Sequence, residues 1–187
     1  MEQGFEYSSE YFIKCLIETS PYIVTPAKSY SDDGWYQNQQ LRQFIENPGY
    51  TVINPGQAKG RIVGGNISSF CLLNGTKYFP DLNGSILFLE AYFETYAELF
   101  NRLLHSIILQ PGFSGVQGLV IGRFQKESNV SDDALIEIIR SKKELRNIPI
   151  IANANFGHTT PQFSFPIGGN ATLSCDNRDV KLAIEAP

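Results

Sequence analysis

SILFLE (85–90), GLVIG (118–122) and PIIAN (149–153) are three short apolar runs, and what lies between them settles the architecture. Each is too short for a helix and lacks the polar alternation of a strand with one wet face. Each therefore reads as a strand buried on both sides. The spacer 94–109 places Ala97, Phe100, Leu104, Ile107 and Ile108 on one helical face, and Pro111-Gly112 stops it. The second spacer opens with Ser131-Asp132-Asp133, acids at the positive end of a helix dipole, and turns Leu135, Ile138 and Ile139 inward. Strand, helix, strand, helix, strand predicts parallel strands joined by right-handed crossovers. The fold class is α/β: a small parallel core with flanking helices and antiparallel edge strands.

Away from this centre the signals are shorter. Residues 9–19 predict a helix with Phe12, Cys15 and Leu16 on its packing stripe, ended by Pro21. YIVTP (22–26) predicts a strand, and 27–40 (AKSYSDDGWYQNQQ) a loop without stable period. YTVIN (50–54) and GRIVGG (60–65) are β-like and separated by a turn, PGQAK. NISSFCLL (66–73) begins as a helix capped by Asn66. SFPIG (164–168), ATLSC (171–175) and VKLAIE (180–185) read as short strands, the last two joined by the DNR turn (176–178) in a terminal hairpin.

At 187 residues the chain is long enough for one domain and a fraction. A hydrophobic share of 42% provides a core, and a net charge of −4 argues against nucleic acid as the partner. No apolar run approaches the roughly 18 residues of a membrane span, and MEQGFEYSSEYFIK lacks the basic, then apolar, order of a signal peptide. Three separated cysteines, Cys15, Cys71 and Cys175, suit reduced thiols in the cytoplasm better than a disulfide frame.

The sequence has two histidines. His105 is mid-helix beside the apolar face and reads as a surface residue. His158 follows Gly157 in NFGHTTP, just beyond a buried strand, where sites form at the carboxyl ends of α/β sheets. Glu90 closes SILFLE at the same edge. A carboxylate bonded to one imidazole nitrogen fixes the tautomer and stabilises the imidazolium formed in base catalysis. These would be two members of a nucleophile–histidine–acid triad. The third is not found: G-x-S-x-G is absent, Ser114 lies in a connector, Ser68 and Ser69 belong to a helix start, and Cys71 lies in an apolar stretch. With no clustered histidines or Cys-x-x-Cys, and no phosphate loop, neither a metal nor a cofactor is expected.

GRIVGGN (60–66), LLNGTKYFPDL (72–82), ILFLE (86–90), GLVIGRF (118–124), PIIANANFGHTTP (149–161) and FPIGG (165–169) occur in an order that resembles the LD-carboxypeptidase family of serine peptidases. The segment YIVTPAKSYSDDGWY (22–36) is similar to that family's microcin C self-immunity branch. The resemblance implies a two-domain enzyme with a serine–glutamate–histidine triad, in which Glu90 and His158 are the acid and the base. It also implies substrate contacts from Tyr30, Trp35 and Asn66. The substrate would be an LD-linked muropeptide or an aminoacyl-nucleotide amide. Residues 1–49 would be the last helix of a first domain plus a linker and substrate loop, and 50–187 the second domain. The serine and the oxyanion-hole turn belong to the first domain, so the chain alone is expected to be inactive. Its exposed docking face is expected to favour self-association, including a homodimer. Two departures from the family pattern are Ala91, where a second acid is common, and Ile67, where leucine is usual. The competing expectation is a non-catalytic module that binds a ligand or partner.

Overall fold

The three apolar runs form the middle of an eight-stranded sheet. The structure is a computed structural model and describes residues 4–18, 20–34 and 38–185. In chain order it contains α1 (Phe5–Leu16), β1 (Tyr22–Val24), β2 (Ser29–Tyr30), β3 (Ile45–Glu46), β4 (Thr51–Asn54), β5 (Gly56–Asn66), α2 (Ile67–Cys71), β6 (Ser85–Glu90), α3 (Ala97–Ile108), β7 (Gly118–Gly122), α4 (Asp132–Arg140), β8 (Ile150–Ala154), β9 (Asn170–Cys175) and β10 (Val180–Ile184). Strand order is β1-β10-β9-β5-β6-β7-β8-β4, and β2 pairs separately with β3. β5 to β8 are parallel. β9, β10 and β1 extend one side antiparallel, and β4 closes the other. Every residue of β6, β7 and β8 is buried, as their unbroken apolar runs require.

Alternation along these strands feeds two cores. Leu87, Leu89, Leu119, Ile121 and Ile150 meet Phe100, Leu104 and Ile107 of α3 and Leu135 and Ile139 of α4. Ile86, Phe88, Val120 and Ile151 face the other way, in a core with Tyr11 and Cys15 of α1 and with Phe156 and Phe163. Ser131 caps α4 by accepting the Ala134 N–H at 3.2 Å, as the Ser-Asp-Asp signal predicts. The backbone of β1, an outermost strand, is held by tyrosines. Tyr11 donates to the Ile23 carbonyl at 3.2 Å, Tyr50 to that of Val24 at 3.0 Å, and Tyr7 to that of Thr25 just beyond at 2.8 Å.

Three local expectations are corrected. PGQAK is not a turn between the two segments: all but Pro55 belongs to β5, which begins at Gly56 and pairs with β6 and β9 while β4 pairs with β8. Residues 164–168 form no strand. Pro166 cannot donate to a ladder, and Phe163 and Phe165 instead lay their rings against Phe88 and Phe156 over the sheet face. In α1 the buried residues are Tyr11 and Cys15, whereas Phe12 and Leu16 are exposed. His105 is exposed on α3, as read.

Candidate active site

β6 and β8 run parallel with β7 between them, so their carboxyl ends share one edge of the sheet. Glu90 ends β6, and His158 is in the loop after β8. His158 Nδ1 and Glu90 Oε2 are 2.7 Å apart. The carboxylate side chain is 9% exposed and the imidazole 38%. An ionised carboxylate only accepts, so Nδ1 carries the proton and donates, leaving Nε2 as the basic nitrogen. Among the described residues none hydrogen-bonds Nε2. The ring borders a cavity of about 500 Å³.

Two glycines make the pair possible. A Cβ on Gly157, whose φ is +103°, would lie 2.7 Å from Glu90 Oε2 and 2.9 Å from its Cβ. A Cβ on Gly122, at the end of β7, would lie 2.8 Å from Glu90 Cβ. The acid therefore occupies space that any other residue type would take. The histidine loop is fastened at several points. Gln162 Nε2 donates to the Gly157 carbonyl. Ser31 and Thr160 exchange two backbone hydrogen bonds at 2.8 Å. Ser8 Oγ accepts the Gln162 N–H at 3.1 Å. The Tyr92 ring stands 5.0 Å from the imidazole, centroid to centroid.

The remaining cavity wall is charged: Asp32, Asp33, Arg42, Lys126 and Glu127 line it. Asp32 accepts the Lys126 backbone N–H at 2.6 Å and faces its Nζ at 3.2 Å. That hydrogen bond with the Asp32 side chain pushes the Lys126 ammonium up. The Gln43 N–H, 2.6 Å from Asp33, holds the Asp33 carboxyl below its usual range. Among the described residues, no serine or cysteine lines this cavity. Cys71 lies in the α3 core, its Sγ 3.6 Å from the Leu103 carbonyl, and burial pushes its thiol up.

The model of the LD-carboxypeptidase C-terminal domain matches residues 59–173. The chain belongs to that family. YocD of Bacillus subtilis is 44% identical over 185 residues, covering 99% of this chain and 57% of its own length. The microcin C7 self-immunity protein MccF of Escherichia coli is 26% identical, with 92% of this chain and 52% of its own length covered. The crystal structure of an MccF-like protein from Bacillus anthracis superposes with a TM-score of 0.97 at 46% identity, over 100% of this chain and 58% of that one. The chain thus spans a little over half the length of the relatives it matches.

Within this LD-carboxypeptidase domain the sequence-derived residues fall in separate places. Glu90 and His158 meet. Tyr30 does not border the His158 cavity. It lines an adjacent one of about 420 Å³, with the Arg123 guanidinium 4.0 Å above its ring. Asn66 pairs in register with Glu90, and its Oδ1 accepts the Ser69 N–H at 3.1 Å as the α2 cap. Trp35 lies outside the described residues. Arg123 was not singled out in the sequence, although it follows β7 as Glu90 ends β6, and the strand-end rule that found Glu90 applies to it. It is 5% exposed and donates to Asn47 Oδ1 at 2.6 Å and the Asn153 carbonyl at 3.1 Å. Burial pushes the guanidinium below its ordinary value. Arg42 and Lys126 carry no motif that would have marked them. Only the fold gathers them at the cavity.

Proposed function

We propose that this chain is the acid–base half of a serine peptidase that cleaves an amide bond, and that its nucleophile comes from a preceding domain. The observation that carries the reading is the 2.7 Å contact between His158 Nδ1 and Glu90 Oε2, with the His158 ring bordering an open cavity. In the complete enzyme a serine hydroxyl attacks the amide carbonyl carbon and gives its proton to Nε2. Glu90 stabilises the imidazolium. The tetrahedral adduct then breaks its C–N bond as Nε2–H protonates the leaving amine. Water attacks the acyl carbon, passes a proton to Nε2, and the serine regains it as the acid departs.

The substrate we propose is an aminoacyl-nucleotide amide of the microcin C type, with an LD-linked muropeptide as the second candidate. Similarity to the MccF self-immunity protein supports the first, and Arg42, beside Asp32, Asp33 and Glu127 at the cavity and with Lys126 paired to Asp32, offers a cation to an anionic substrate end. Tyr30 and Trp35 are proposed to contact the nucleotide part. Asn66, its Oδ1 used in capping, is proposed to donate to the acyl part through Nδ2. Residues 1–49 are assigned to the junction with the first domain and its substrate loop, and 50–187 to the second domain. Three free thiols support a reducing, cytoplasmic setting, and no helix among the described residues is long and apolar enough to cross a membrane.

The test joins this chain to the preceding domain of the Bacillus subtilis relative and assays both substrate types. Glu90→Gln is expected to lower kcat by roughly 10³–10⁴-fold, and His158→Ala to abolish serine acylation. Hydrolysis by either variant at the parent rate would refute the assignment. The lack of a serine or cysteine at the cavity favours one alternative, a binding module without catalysis. That reading requires the joined protein to bind the nucleotide and cleave neither substrate.

A further inference from the structure

Helix α1 is apolar on both sides. Tyr11 and Cys15 face the sheet at 2% and 5% exposure, while Phe5, Phe12, Leu16 and Ile17 point away at 56%, 51%, 65% and 68%. At 3.6 residues per turn, Phe5, Phe12 and Leu16 fall in one line, with Ile13 and Ile17 alongside. Glu6, Glu10 and Lys14 keep one sector of α1 polar, but a row of large apolar side chains this exposed marks a contact surface and not a finished one. Two observations identify what covers it. The matched region is named a C-terminal domain, and the relatives carry over two-fifths of their length beyond the matched part, which fits a domain that precedes it. α1 is the first element of the described chain, at the end where that length joins.

We propose that the Phe5–Phe12–Leu16–Ile17 stripe is the seat of the preceding domain, and that α1 transmits its position to the loop bearing His158. The inference rests on the two-domain reading above and adds the surface. The link is physical: Ser8 on α1 holds the Gln162 N–H at 3.1 Å, and the Tyr11 ring packs edge-on to Phe163 at 6.1 Å. Gly4, before the helix, lies so close to this loop that a Cβ there would be 3.2 Å from Pro161 Cβ. A domain seated on α1 is therefore tied to the residues just after His158, which is where its hydroxyl has to arrive.

The experiment compares Phe12→Glu/Leu16→Glu in two settings. In the 187-residue chain alone, the double substitution is expected to shift the melting temperature by no more than about 3 °C. In the joined two-domain protein it is expected to split a single unfolding transition into two and to lower hydrolysis at least about tenfold. Should the joined protein fail to fold, the full-length Bacillus subtilis relative carries glutamates at the aligned positions instead. One undivided transition in the double variant overturns the proposal. So does a discrete dimer of the joined two-domain protein that the substitutions convert to monomer, because the stripe then serves a second copy. A split transition in a protein whose unsubstituted parent cleaves nothing supports the seat and removes the catalytic reading.

Discussion

The two faces of the central sheet carry cores of similar make-up but end differently toward the outside. Beyond the first, α3 turns Phe100, Leu104 and Ile107 inward and along its length shows Glu98, Arg102 and His105 to solvent, with exposed apolar side chains only at its caps, Tyr96 and Leu109. Beyond the second, α1 turns Tyr11 and Cys15 inward and shows Phe12, Leu16 and Ile17. The inward sides are equally buried, so burial alone does not separate them. The outer sides do. α3 terminates a core, whereas α1 leaves an apolar side uncovered among the described residues, and the Glu90–His158 edge borders the loop to which α1 is bonded.

Substitutions can break or sharpen this contrast. The largest effect is expected at Phe100, which is 0% exposed. Phe100→Ala should cost about 3–5 kcal/mol in urea unfolding, from lost transfer energy and the cavity left behind. A cost near zero would mean the first face is not the finished one. Gly157→Ala should cost less, roughly 1–3 kcal/mol for its left-handed backbone, and it should also displace Glu90. The check is the proton resonance of His158 Nδ1–H, which should lose its downfield position while the fold persists. The smallest effect is expected at Phe12. Phe12→Ala should stay within about 0.5 kcal/mol in the isolated chain. A cost comparable to that of Phe100→Ala would erase the difference between the two helices.

Much of this was legible in the chain. The runs at 85–90 and 118–122 are strands at their read bounds, because continuous apolar runs have one stable environment, the middle of a covered sheet. Glu90 and His158 were singled out by position alone, the one ending such a strand and the other in the loop after another, and the structure brings them together. The α1 stripe shows where pattern reading stops. Periodicity groups Phe12 and Leu16 on one apolar face but does not say against what, and among the described residues nothing covers them. Arg42 and Lys126 come to the cavity from distant segments, and no local signal encodes that meeting. Residues 164–168 read as a strand, but Phe165, with Phe163 just before the segment, serves instead to lay rings over the sheet face.

The tyrosine hydroxyls on β1 have a consequence for assembly. An outermost strand with vacant carbonyls is a template onto which a foreign strand can be added. Here the carbonyls of Ile23, Val24 and Thr25 already accept from Tyr11, Tyr50 and Tyr7. Burial pushes the Tyr7 and Tyr50 phenols up, so those donors keep their protons far into alkaline solution. Strand addition on that margin therefore has to compete with phenol hydroxyls already bonded to the backbone.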